Sequence, residues 1–185
     1  MRIIAGEARG RQIEAPAGRL TRPTLDRVRE NLFNIIQYDV PGSRVLDLFA
    51  GSGALSLEAL SRGAEFAVLA DHDRNACNVQ RRNIERLHYE NRTRLFCCDW
   101  QAALKQISRE QEVFDNVFLD PPYYMTNLKD VFNSLAPVVN RDSLIILEHE
   151  SGREPIASDL FTAIRSRSWG FCAVTLYRLI QKECD

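Results

Sequence analysis

Between Gly42 and Glu148 two kinds of hydrophobic pattern alternate along the chain. Short runs rich in β-branched and aromatic residues, at 44–49, 66–71, 93–98, 114–119 and 143–148, read as strands. Stretches with apolar residues at three- and four-residue spacing, at 54–62, 74–87, 101–109 and 128–136, read as helices. The connections are short, which is the sequence form of a parallel sheet covered by helices. The last part breaks the rhythm. The runs 161–167 and 173–180 are separated by Ser168-Trp169-Gly170. That is too short for a crossover, so this pair must be antiparallel.

Ahead of this body, Leu25, Val28, Leu32, Ile35 and Ile36 repeat at helical spacing from Pro23 until Pro41-Gly42 stops the pattern. Arg2-Ile-Ile-Ala5 and Arg11-Gln-Ile-Glu-Ala15 flank Gly6 and Gly10 and predict a short hairpin ended by Pro16 and Gly18. The expected architecture is α/β, with seven strands mostly parallel and the last antiparallel, preceded by a β-hairpin and a helix. The division falls into a basic hairpin appendage, 1–22, and a main domain, 23–185.

Composition narrows the class. With 185 residues and 45% hydrophobic content the chain can bury a sizeable core. Five cysteines without CxxC spacing and three scattered histidines argue against a zinc or disulfide scaffold and for a reducing cytoplasm. No apolar run approaches a membrane span, and the first residues lack a secretory stretch. The net charge of −1 hides an asymmetry: residues 1–29 carry +4 and the remainder −5. Arg9, Arg11, Arg22, Arg27 and Arg29 fall in the basic part. Arginine pairs bidentately with phosphate, so a basic arm on an acidic body suits a polyanion, although an ordinary solvated surface fits the same charges.

Candidate chemistry gathers at the predicted strand ends, where open α/β sheets bind ligands. Asp47-Leu-Phe-Ala-Gly-Ser-Gly53 follows the first sheet strand. Gly51 and Gly53 let backbone approach a ligand, while Asp47 favours a cationic or hydroxyl-bearing one over a phosphate. The third glycine of a dinucleotide fingerprint is replaced by Ser56, and no P-loop lysine follows. Asp71 ends the second strand at the spacing of a ribose-binding carboxylate; Asp73 is its rival and also a good helix N-cap. Cys97-Cys-Asp-Trp100 ends the third strand, with Asp99 and Trp100 offering an acceptor and a flat ring near an adenine, or a plain helix cap. Asp120-Pro-Pro-Tyr123 ends the fourth. Two prolines fix consecutive φ angles and remove donors, Tyr123 supplies a flat face, and Asp120 accepts from an amino group. Taken alone, this tetrad equally suits a strand stop capped by Tyr123. Tyr124 reads as packing.

These motifs, in this order, resemble the class I S-adenosylmethionine-dependent methyltransferases, a Rossmann-like fold. More narrowly, Arg2-Ile-Ile-Ala-Gly-Glu-Ala-Arg-Gly-Arg11, Thr21-Arg-Pro-Thr24, Asp26-Arg-Val-Arg-Glu30, Leu32-Phe-Asn34, Leu57-Glu-Ala-Leu-Ser-Arg-Gly63, Phe118-Leu-Asp-Pro-Pro-Tyr123 and Glu148-His149 resemble the RsmD family. The resemblance implies methylation of the 2-amino group of a guanine in 16S ribosomal RNA. It implies S-adenosylmethionine held by Asp47, Phe49, Gly51, Gly53, Asp71, Asp99 and Trp100. Asp120, Pro121, Pro122 and Tyr123 would grip the base, and Arg9, Arg11, Arg22, Arg27 and Arg29 the RNA, free or in an assembling small subunit. No metal is implied. Asp71 stands where this family more often has Glu, and Trp100 where a small residue is common. Rival readings are an amino methyltransferase of DNA adenine or cytosine, and a non-catalytic RNA-binding assembly factor. The glutamine methyltransferases of release factors carry Asn where Asp120 stands.

Overall fold

The computed structural model describes residues 1–15 and 23–180. Its sheet has seven strands: β1 (Arg44–Asp47), β2 (Phe66–Ala70), β3 (Thr93–Phe96), β4 (Phe114–Leu119), β5 (Val139–Glu150), β6 (Phe161–Trp169) and β7 (Cys172–Leu179). They lie in the order β3-β2-β1-β4-β5-β7-β6. The first five are parallel, and β7 runs antiparallel to both its neighbours, as the short link before it requires. Chain order reverses between β1 and β4. That reversal opens a crevice at the carboxyl ends of the two strands.

Five helices cover the sheet: α1 (Pro23–Ile35), α2 (Ala54–Ser61), α3 (Arg74–Leu87), α4 (Trp100–Arg109) and α5 (Leu128–Leu135). Successive residues of a strand point to opposite faces, so the two core layers divide the strands residue by residue. Val45, Leu69, Phe118 and Ile146 pack with Leu32, Phe33, Leu57 and Ile84 of α1–α3. Leu46, Val68, Val117 and Ile145 pack with Leu104, Ile107, Val131 and Phe132 of α4 and α5. Burial on both faces explains why the strands read as near-continuous apolar runs.

Element boundaries shift in places. β1 stops at Asp47 because the chain then turns, with Ala50 N–H bonding to Ala70 O at 3.1 Å. β5 is longer than expected at both ends, its far end pairing with β7. α1 ends at Ile35, well before Pro41, and a turn from Asp39 N–H to Ile36 O follows.

The expected hairpin is reduced to one isolated bridge, Arg2 with Gln12, flanked by Ile3 N–H to Arg11 O and Ile13 N–H to Met1 O, both 3.0 Å. What holds this segment is the body beneath it. Ile3, Ala8 and Ile13 are buried in the core layer of α1–α3. Glu58 of α2, itself fully buried, accepts the Ile4 and Ala5 N–H groups at 2.8 and 3.0 Å. Gly6, at φ +82°, passes so close to Ser61 that an added Cβ would sit 1.7 Å from its carbonyl oxygen.

Candidate active site

A cleft of about 260 Å³ opens at the crevice. Phe49 and Gly51 line it from the β1 loop, Asp71 and Asp73 from the β2 loop, and Asp120 with Pro122 from the β4 loop. Five residues singled out from the sequence therefore meet in one cavity: Phe49, Gly51, Asp71, Asp120 and Pro122. Pro121 is buried directly behind, and Tyr123 stands half-exposed at the side.

The Asp71 carboxylate is anchored at both oxygens, accepting Gly51 N–H at 2.8 Å and Asp73 N–H at 2.9 Å. Its side chain keeps 11% exposure. Each oxygen retains a further acceptor position for a ligand hydroxyl. Asp73 instead caps α3, accepting Asn75 N–H at 2.8 Å. Beneath the loop, α3 contributes two buried amides. Gln80 Nε2 donates to Gly51 O and Asn83 Nδ2 to Ser52 O, both at 3.0 Å. Asn83 also holds Glu14, accepting its N–H at 2.7 Å. The sequence offered a signal for these clamps, two amides three residues apart on the buried face of a helix, but their role depends on a loop that the helical pattern does not describe.

Asp47 is only 1% exposed. One oxygen accepts the Ser56 hydroxyl at 3.0 Å, and the other, Oδ1, is buried with no hydrogen-bond partner among the described residues. Burial pushes its carboxyl up to about 7, opposed by the Ser56 bond and reinforced by the negative charge of Asp71.

Three expected cofactor residues do not line this cleft. Gly53, at φ +79°, brings α2 against β2: an added Cβ would stand 2.9 Å from Leu69. Asp99 caps α4, accepting Ala102 N–H at 2.7 Å. Trp100, the first residue of α4, is 9% exposed and packs in the α4–α5 core layer.

In the β4 loop, Pro122 O accepts Met125 N–H at 2.8 Å and Tyr123 O accepts from Arg153 at 3.0 Å, and these bonds hold the loop. Burial first, then the negative charge of Glu148 and those of Asp120 and Glu150, push the Tyr123 phenol up to about 12. Tyr124 is 83% exposed and lines the cleft mouth, which overturns its reading as packing.

The arginines separate into three environments. Arg9 and Arg27 are exposed and line a groove of about 500 Å³ together with Arg2, Asp26 and Glu30. Arg11 is exposed, but its guanidinium donates to the Arg86 and Leu87 carbonyls at the end of α3. Arg29 departs from the expected RNA surface altogether. It is 5% exposed, bonded to Asp26 at 3.0 Å and Arg2 O at 2.6 Å, with Glu58 at 3.8 Å. Arg22 lies outside the described residues.

The chain matches the family described as Conserved hypothetical protein 95 over residues 1–178. Ribosomal RNA small subunit methyltransferase D of Escherichia coli is 36% identical across the whole of this chain and 91% of its own length. The Haemophilus influenzae protein of the same name is 31% identical, covering 96% of this chain and 93% of its own. A solved structure of a hypothetical protein from Thermus thermophilus superposes with a TM-score of 0.80 at 33% identity, over 95% of this chain and 98% of that one.

Proposed function

For a chain that belongs to the family of ribosomal RNA small subunit methyltransferase D, we propose transfer of a methyl group from S-adenosylmethionine to the 2-amino group of a guanine in 16S ribosomal RNA. The observation that carries this reading is the single cleft joining the anchored Asp71–Gly51 loop to Asp120 and Pro122.

The residues fit the cofactor. Asp71, with acceptor positions to spare, suits ribose hydroxyls; Phe49 gives an apolar wall; and the orphaned Asp47 Oδ1 suits a cationic or hydroxyl-bearing group. When bound, S-adenosylmethionine supplies an activated methyl group. The protein orients the acceptor. A guanine stacked in RNA cannot present its amino group to a pocket, so the base must leave its stack. Tyr123 then offers a flat face, and Asp120 accepts an amino N–H, aligning the nitrogen for in-line displacement. Asp120 need not be a strong base, because the nitrogen becomes far more acidic once methylated. Arg9 and Arg27 contact phosphates, which position the RNA without specifying sequence. A ribosomal substrate places the enzyme in the cytoplasm.

Labelled S-adenosylmethionine offered to free 16S RNA, small ribosomal subunits and duplex DNA tests this reading. Label mapped to the 2-amino group of a guanine in the RNA or the subunit is expected. Label confined to DNA would overturn it.

A further inference from the structure

The β4 loop motif explains an amino-group acceptor but does not by itself select guanine over adenine or cytosine. A second carboxylate stands beside it. Leu119 of β4 and Leu147 of β5 are partners in the parallel ladder, and both pack in the same core layer. The next residues, Asp120 at the end of β4 and Glu148 within β5, therefore stand side by side at the same height on the opposite face, where Asp120 lines the cleft. Tyr123 lies close enough for its phenol to feel both charges. Cys172, at the start of β7, is within hydrogen-bonding reach of Glu148. Among the described residues no cation offsets the Glu148 carboxylate, and burial holds its carboxyl above the ordinary range. A half-buried acceptor with no counter-ion among the described residues is suited to a ligand that brings donors.

Guanine brings two donors side by side, N1–H and the 2-amino group. Adenine and cytosine place a lone pair at the ring nitrogen beside their amino group, and a lone pair facing a carboxylate is repelled. We propose that Glu148 selects guanine, its carboxylate accepting N1–H while Asp120 accepts from the neighbouring 2-amino group. This rests on the reading of the chain as a guanine methyltransferase, and deepens it by naming the residue that reads the ring.

The test compares RNA carrying guanine at the mapped target with RNA carrying 2-aminopurine there, which keeps the 2-amino group but presents a lone pair at N1. The parent protein is expected to prefer guanine by on the order of a hundredfold in kcat/KM, as expected for a site built around a donor that the analogue lacks. Glu148→Gln, whose amide can donate to that lone pair, should reduce the preference at least tenfold, with the loss on guanine mainly in KM. The fluorescence of the 2-aminopurine RNA should report tighter binding to E148Q than to the parent. E148Q should melt no lower than the parent, and its cofactor affinity should match. If E148Q folds poorly, Glu148→Asp, which withdraws the acceptor by one methylene, should weaken guanine use while leaving 2-aminopurine use unchanged. Guanine preference unchanged in a folded variant that still methylates guanine overturns the role of Glu148 alone. Failure of the parent to methylate any guanine overturns the underlying reading as well.

Discussion

The Asp71 carboxylate accepts the Gly51 N–H at 2.8 Å, tying the loop after β2 to the loop after β1. A second bond, from Asp73 N–H, fixes the other oxygen. Both acceptors are thus oriented before any ligand arrives, and less ordering cost remains at binding. Asp71→Ala removes the ribose acceptor and the tie together. Its affinity for S-adenosylmethionine should fall at least tenfold by calorimetry, about 1.4 kcal/mol or more. An affinity within twofold of the parent would show that Asp71 only braces the loops.

Asp47 makes stability depend on pH in an unusual direction. Its carboxyl is raised from 3.8 to about 7 in the fold, so the folded state binds the proton more tightly than the unfolded chain. The contribution is complete below the unfolded value and is lost as pH rises through the folded one. Asp47→Asn escapes this loss. Its melting temperature relative to the parent should climb between about pH 4 and pH 7, then level off, for a gain on the order of a few kcal/mol at most. A constant difference across that window would exclude Asp47 as the titrating group. The same variant should bind S-adenosylmethionine more weakly if the orphaned oxygen serves the cofactor.

Much of the fold was legible because burial on both faces leaves a plain signal. The runs 44–49, 66–71, 93–98 and 114–119 gave the strands, and the aspartates in or beside them, Asp47, Asp71, Asp99 and Asp120, their order of chemistry. The 14 residues of α3, Arg74–Leu87, match the expected helix at both ends, where Asp73 caps it and His88 closes it in a left-handed turn. What escaped has a common cause. Arg29 and Tyr124 were judged by residue type, whereas their exposure is decided by tertiary neighbours. Arg29 sits at a helical position that turns toward Glu58 of α2, a partner 29 residues away. Glu148 was noticed only as part of a resemblance, since its role comes from strand register with Asp120.

The arginines yield opposite predictions from one residue type. Arg29 is buried between Asp26, Glu58 and the Arg2 carbonyl, so Arg29→Ala leaves a buried Glu58 with less compensation. A loss of about 3–5 kcal/mol is expected from urea denaturation. Arg9→Ala and Arg27→Ala, at exposed positions, should change stability by no more than about 0.5 kcal/mol. Both should instead weaken RNA binding and flatten its dependence on salt. An unchanged salt slope in the R9A R27A double variant would make these arginines ordinary surface.

Asp120 and Tyr123 divide the grip on the base, and their variants should divide the kinetics. Asp120→Ala removes an acceptor that acts on the reacting nitrogen, so methyl transfer should fall on the order of a hundredfold or more with cofactor affinity nearly intact. Turnover within a few-fold of the parent would remove Asp120 from the reaction. Tyr123→Ala should weaken the hold on the base by about 1–3 kcal/mol, the range of base–aromatic stacking. The Tyr123 hydroxyl is a different matter. Negative neighbours and burial push it up to about 12, so it stays protonated at neutral pH and is no base. Tyr123→Phe keeps the flat face and should therefore cost little in either KM or kcat. A severe loss in Tyr123→Phe would transfer the role from the ring to the hydroxyl, whose proton would then be a donor shared with Glu148 or the substrate.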